Sequence, residues 1–298
     1  MSTHGITRAD VRAVNLPRRR VVNRVVEGFA TLAALIAVAT LGLVVYEVAR
    51  RGAPALNLDL LTKDPVPFAI GHVKQGVANA VAGSLVLIGL ATLMALPVGI
   101  LVAIYLNEFA PPSIRTGVSL VLDVLNGVPA IVVGIFVFVL VVVGHGQSGW
   151  AGAFALAILM LPLVARSTME VLSLVPTSLR EASLGLGIPR WRTTLSVVLP
   201  QSIGGIVTGT VLAVARIAGE TAPLLFTSSI VGTHTSWSPS HALQSIPVAI
   251  FELAESPDPA DHARAWAIGL VLLLFILFTS LTARWLATRS RNRISTSR

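Results

Sequence analysis

Val175-Pro176-Thr177-Ser178-Leu179-Arg180-Glu181-Ala182-Ser183-Leu184-Gly185-Leu186-Gly187-Ile188-Pro189 reads as a short helix with its own start and stop. Ser178 followed three residues later by Glu181 has the spacing of a capping box, in which hydroxyl and carboxylate satisfy amides that a first turn leaves orphaned. Gly187 is placed to end the helix in a left-handed conformation, and Pro189 prevents its continuation. The spacing predicts about two turns over 178–187, with Leu179, Ala182 and Leu186 on one face at i, i+3 and i+7. The residues on either side decide the fold, because both flanks are apolar for longer than a soluble helix requires. A small capped helix with one apolar face, held between two membrane spans, suits a partner's groove. The alternative is a helix lying on the membrane surface.

Working outward, 54% of the 298 residues are apolar, only 12% are charged and the mean hydropathy is +0.81. A soluble domain carries about 25% charge, so most of this surface faces lipid. Crossing a ~30 Å hydrocarbon core takes roughly 20 apolar residues. Six runs qualify, approximately Val25 to Tyr46, Ala80 to Leu106, Val118 to Val143, Trp150 to Val171, Ile203 to Phe226 and Ala265 to Ala287. The fold expected is an all-α polytopic membrane protein with six transmembrane helices. Pro97, Pro129, Pro162 and Pro223 are tolerated where neighbouring helices satisfy the freed backbone groups. The organisation is a basic arm at 1–24, a membrane domain at 25–287 that includes the loop 175–200, and a basic tail at 288–298.

Arginines place the loops. Arg8, Arg12, Arg18, Arg19, Arg20 and Arg24 precede the first span, and Arg284, Arg289, Arg291, Arg293 and Arg298 follow or close the last. Both termini are therefore expected in the cytoplasm, with Arg115, Arg180, Arg190 and Arg192 on inner loops. Arg50, Arg51, Lys63, Lys74 and Arg264 fall outside, and Thr227 to Ala263 has no Lys or Arg. The formal charge of +8 thus records topology and does not call for nucleic acid. Ala53-Pro54-Ala55 resembles a signal cleavage site, but the preceding run is longer than a signal core of about 7–15 residues, so the first span is expected to be retained. Trp266 and Trp285, 19 residues apart along the last span, fit an interfacial aromatic belt.

Other chemistry has little support. No cysteine is present, which excludes disulfides, thiolate metal sites and cysteine nucleophiles. His72, His145, His234, His241 and His262 lack metal-ligand spacing and read as solvated loop residues. Lys63 precedes Asp64 and Lys74 precedes Gln75, so no P-loop exists to cradle ATP. The expectation is no catalytic residue, no metal site and no cofactor in this chain.

Arg166, Arg216 and Glu220 fall within the spans. A guanidinium at mid-bilayer costs roughly 2.5–3.5 kcal/mol on insertion scales, so it normally faces a cavity or a partner. Arg216 and Glu220 are four apart and hence on one helical face, where they can pair; Arg166 lies late in the fourth. One reading is a buried ion pair that fixes packing. The other is a path for an oxyanion, whose geometry the planar guanidinium matches in bidentate fashion. Residue counting puts Arg216 near mid-membrane and Arg166 closer to the cytoplasm, as successive points of a route. Asp123 and Asn126 read as helix-entry or packing residues, and Glu108 and Arg115 as solvated charges flanking Pro111-Pro112.

Glu181-Ala182-Ser183, Gly187, Val197 and Leu199-Pro200, at fixed spacing, resemble the EAA loop of ABC importer permeases, with Ser183 and Val197 as mild departures. Three further segments, Gly127-Val128-Pro129-Ala130-Ile131-Val132-Val133-Gly134, Pro162-Leu163-Val164-Ala165-Arg166-Ser167-Thr168 and Arg216-Ile217-Ala218-Gly219-Glu220-Thr221-Ala222-Pro223, look like the phosphate-specific importer permeases. Ser245-Ile246-Pro247-Val248 and Ala265-Trp266-Ala267 favour the PstA type over the PstC type. The resemblance implies a MetI-like bundle in a bacterial plasma membrane, with 178–187 as the coupling helix and Leu179, Glu181, Ala182, Leu186 and Gly187 meeting the ATPase. It implies a PstC-like second permease, a PstB-like ATPase dimer carrying ATP and Mg, and a PstS-like external phosphate-binding protein. It also places Arg166, Arg216 and Glu220 at positions associated with phosphate passage. Competing readings are an importer of sulfate or molybdate, a proton-driven carrier with Glu220 as relay, and a non-transporting scaffold.

Overall fold

The computed structural model describes residues 16–66, 75–229 and 232–295; Arg8, Arg12, His72, Lys74 and Arg298, named above, lie outside them. Regular structure among the described residues is helical: α1 Leu16–Gly52, α2 Leu58–Thr62, α3 Ala78–Ile104, α4 Pro112–Gly127, α5 Ala130–Val137, α6 Gly149–Ser173, α7 Thr177–Gly185, α8 Arg190–Thr193, α9 Leu199–Ile217, α10 Ala222–Thr227, α11 Ile246–Glu255 and α12 Pro259–Ser295. The chain divides into two compact units, one ending at Arg50 and one beginning at Arg51.

The described part of the first unit is α1 alone. Val21, Phe29, Leu35 and Leu43 are exposed along it, and an exposed apolar run of this length is a lipid-facing span. Arg50 pairs with Glu47 one turn back at 3.1 Å.

In the second unit, α3 lies along α6, α6 packs on α9, and α9 packs on α12. The core is built from Leu87, Ala91 and Ala95 of α3, Ala153, Leu156, Met160 and Val164 of α6, and Ala213 and Ile217 of α9. Alanine recurs because lipid tails give apolar side chains no drive to associate; close van der Waals approach through small residues supplies it instead. The same logic governs Gly134 of α5, where an added Cβ would lie 2.6 Å from the Pro223 Cα. That backbone atom cannot rotate away, so Gly134→Ala is expected to cost about 1–3 kcal/mol by overpacking. Thermal unfolding in detergent checks this, and an unchanged midpoint would refute the close packing of α5 on α10.

Among the described residues, five helices are long and apolar enough to cross a membrane, and a bent pair makes a sixth crossing if taken as one span. The third span, expected over Val118 to Val143 with Pro129 inside it, is a bent pair: α4 and the helix from Ala130 to Val142 meet at 97°. Val128 precedes a proline and is held extended (φ −67°, ψ 128°), because the proline ring excludes the helical conformation of the residue before it. Pro97 and Pro162, by contrast, lie inside unbroken α3 and α6.

The fifth span is also corrected. It runs from Arg190 to Ile217, not from Ile203 to Phe226, and α10 follows after a break at 218–221. Its first turns were hidden by polar residues, yet the hydroxyls of Thr193, Thr194 and Ser196 each bond the carbonyl four residues back, at 3.3, 3.0 and 2.6 Å. Such back-bonding lets hydroxyl residues sit inside a helix. Pro200 falls in the first turn of α9, after a widened turn over Thr194–Val198.

The outer segment read as loop contains α11, which Ser245 caps by accepting from the Val248 amide at 3.4 Å, with Pro247 in the first turn. Beside it, Gln244 donates to Glu252. Burial raises the Glu252 carboxyl above its ordinary value of 4.5, further than that hydrogen bond lowers it. The folded state therefore holds this proton more tightly than the unfolded chain, so stability falls as pH rises from 4.5 through the raised folded value. Glu252→Gln is expected to remove that loss: unfolding midpoints of variant and parent converge in acid and separate toward neutral pH, with the variant higher. A variant less stable at neutral pH would reverse the sign and refute it.

Candidate functional site

Arg216 and Glu220 face one cavity of about 40 Å³, walled also by Asn126 of α4 and by Leu159 and Leu163 of α6. The i, i+4 pairing expected on a continuous helix is corrected. Helix α9 ends at Ile217, and Glu220 stands in the break, its amide bonding the Ile217 carbonyl at 3.1 Å. Gly219 and Pro223 bracket that break and remove the reason for the helix to continue. No hydrogen bond or ion pair is found for either side chain among the described residues. The guanidinium and the carboxylate thus converge on one space without neutralising each other.

Arg166 lies elsewhere. It makes a bidentate pair with Asp123, Nε donating to Oδ1 at 2.8 Å and Nη2 to Oδ2. Asp123 lies inside α4 and ties it to α6, so of the two roles expected for it the packing one applies. The pair is one turn from the cavity on two helices at once: Asp123 precedes Asn126 by three residues on α4, and Arg166 follows Leu163 by three on α6. Three residues are about 4.5 Å along a helix, so the two arginine sites are successive levels of one column, the lower one satisfied and the upper one open.

At the end of the bundle beyond Arg166, α7 stands between α6 and α8. The expected capping box does not form. Pro176, extended at ψ 137°, occupies the N-cap with no side-chain cap bond, and the helix begins at Thr177. This leaves Ser178 two residues too far in. The expected stop is present: Gly187 has φ +76°, with the Ile188 amide on the Ser183 carbonyl at 3.2 Å and the Gly187 amide on Leu184 at 2.9 Å. That is the Schellman bond pair. Leu179, Glu181, Ala182, Leu186 and Gly187 are exposed, Leu186 at 80%.

Two contacts fix this exposed helix to the bundle. Ser183 and Thr193 share a hydroxyl bond at 2.9 Å. Arg180 makes a fork onto Glu108, at 2.8 and 3.2 Å, and also donates to the Val175 and Leu172 carbonyls at 2.6 and 2.9 Å. Glu108 is 9% and Arg180 19% exposed, which corrects the reading of Glu108 as a solvated charge. No spacing rule links residues 72 positions apart, so the sequence carries no signal for this tie or for Asp123 with Arg166.

The family described as binding-protein-dependent transport system inner membrane component matches residues 95–292. The chain is 40% identical over 270 residues to the phosphate transport system permease protein PstA of Pasteurella multocida (strain Pm70), covering 89% of this chain and 94% of that protein. It is 41% identical over 254 residues to the PstA of Yersinia pestis, covering 84% of each. Among solved structures, a bacterial alginate ABC transporter in complex with a pentasaccharide-bound periplasmic protein is similar at a TM-score of 0.63 and 16% identity, over 91% of this chain and 96% of that one. The inward-facing MetNI methionine ABC transporter is similar at 0.57 and 18%, over 72% and 94%. At such identities the likeness is one of fold, the MetI-like importer permease bundle.

Proposed function

The chain belongs to the binding-protein-dependent transport permeases and, within them, to the PstA phosphate transport system permease proteins; from that premise we propose that it forms one half of the membrane path of an ATP-driven importer of inorganic phosphate. The observation that carries this is the unpaired Arg216 guanidinium, which lines one cavity together with Glu220 at the break between α9 and α10. A guanidinium fork binds a tetrahedral oxyanion through two charge-assisted hydrogen bonds. Glu220 adds selectivity, because a carboxylate accepts from the P–OH of hydrogen phosphate, whereas sulfate at neutral pH has no proton to give and meets only repulsion.

The cavity has room for about three waters, so a hydrated anion requires the walls to part. The continuous helix from Arg190 to Ile217 supplies the lever. Its 28 residues span about 42 Å, with the Ser183–Thr193 bond to α7 at one end and Arg216 at the other. Closure of a PstB-like ATPase dimer, which would hold ATP and Mg, on Leu179, Ala182 and Leu186 moves α7, and the rod carries that motion to Arg216. Alternating access follows when this half rocks against a PstC-like partner. A PstS-like binding protein delivers phosphate at the opposite end. The basic ends of the chain put both termini on the cytoplasmic face of the cell membrane. This chain itself is non-catalytic and carries no cofactor in this reading.

The test is competitive uptake by the reconstituted complex. Phosphate, not sulfate, is expected to be imported with ATP hydrolysis, and Glu220→Gln is expected to admit sulfate by replacing repulsion with a donor amide. Equal uptake of both anions by the parent complex, or uptake without ATP, would overturn the reading.

A further inference from the structure

A second cleft, of about 430 Å³, opens at the α7 end of the bundle and shares no residue with the Arg216 cavity. Three guanidinium groups line it, those of Arg115, Arg180 and Arg190, against the single carboxylate of Glu108. Arg180 is consumed by Glu108 and two carbonyls. The guanidinium groups of Arg115 and Arg190 have no ion pair or hydrogen bond among the described residues, and both residues are exposed. The cleft therefore holds two uncompensated positive charges from different elements, α4 and α8, brought together by folding. Thr177, the first residue of α7, lines it as well, so the positive end of that helix adds to the field.

Two free guanidinium groups around one concavity are a complement to an anionic phosphoryl group, and basic pockets between helices at the membrane surface take phosphorylated head groups for this reason. The volume is within the ordinary range of small-molecule sites, about 300–1,000 Å³. The geometry points to a phosphoryl-binding site in this cleft, with Arg115 and Arg190 as its two forks and Thr177 as a neutral donor. The phosphoryl group belongs either to free inorganic phosphate or to the head group of an anionic phospholipid. Bound there, it ties the start of α4 to α8 and to the first turn of α7, and so sets the stiffness of the element proposed above to meet the ATPase. The site does not depend on what passes Arg216.

The full-length chain in detergent would be treated with phenylglyoxal, and adducts counted at each arginine by mass spectrometry. Titrations would use inorganic phosphate, phosphatidylglycerol in mixed micelles, or phosphatidylcholine as the zwitterionic control. Arg115 and Arg190 are expected to react readily alone and to be protected by phosphate, by phosphatidylglycerol, or by both; the protecting ligand identifies the source. Arg115→Gln/Arg190→Gln is expected to weaken binding of that ligand about tenfold or more, because both charge-assisted forks are lost, each at a solvent-exposed position. Protection of Arg115 and Arg190 in an Arg216→Gln chain is expected to persist, which separates this site from the transport path. The wild-type protection measurement stands even if the double variant fails to fold. Lack of protection by either ligand would overturn the proposal, as would protection only by added ATPase subunit, which would make the cleft a seat for acidic side chains of a protein.

Discussion

Arg216→Gln is expected to lower phosphate uptake by the reconstituted importer about a hundredfold or more at sub-saturating phosphate, while the subunits still assemble. Glutamine keeps a donor at similar reach but loses the charge and the fork. Hydrogen bonds to charged groups are worth about 1.5–3 kcal/mol each, and losing two with their charge exceeds the 2.7 kcal/mol that corresponds to about a hundredfold. Assembly is expected to survive because Arg216 makes no ion pair or hydrogen bond among the described residues, so no partner is stranded. Arg216→Lys restores charge without the planar fork and is expected to recover only part of the rate. Uptake of labelled phosphate beside size-exclusion of the complex reads both effects. Unchanged coupled transport in Arg216→Gln would remove Arg216 from the path, and lost assembly would make it a packing residue.

The sequence was informative where a single physical rule acts locally and silent where folding brings distant residues together. Apolar length alone exposed the membrane spans, because lipid demands it of every crossing. The left-handed glycine at Gly187 and the exposed face of Leu179, Ala182 and Leu186 were legible from helix geometry. The third span was legible with its proline, but not the size of the bend at Val128-Pro129, because an apolar run has no term for direction. The fifth was displaced because hydropathy counts Thr193, Thr194 and Ser196 as polar, while in the helix their hydroxyls turn back onto the backbone. Placing Glu220 on the same helix as Arg216 followed from that error. The pairings of Arg166 with Asp123 and Arg180 with Glu108 have no local signature, and both change the meaning of charges that the residue order alone left as solvated or unassigned.

Arg180→Met is expected to be the most destabilising single change in the α7 region and to uncouple transport as well. Glu108 is 9% exposed, and removing one member of a buried ion pair costs about 3–5 kcal/mol because the other charge is left without compensation. Two more bonds go with it, since Arg180 also caps the Leu172 and Val175 carbonyls where α6 ends. For a chain of this size the loss corresponds to a fall in unfolding midpoint on the order of 10 °C. Glu108→Gln is expected to cost less, since Arg180 keeps both carbonyls and an amide oxygen. Arg180→Met combined with Glu108→Leu removes both charges and is expected to return most of the stability. The double variant then isolates coupling from folding. The tie between α7 and the end of α3 is absent in a stable protein, so ATP hydrolysed per phosphate imported should rise well above the parent ratio. A double variant with parental stability and a parental ratio would show that Arg180 and Glu108 only hold the fold, leaving the Ser183–Thr193 bond and the Arg190–Ile217 rod to carry the motion alone.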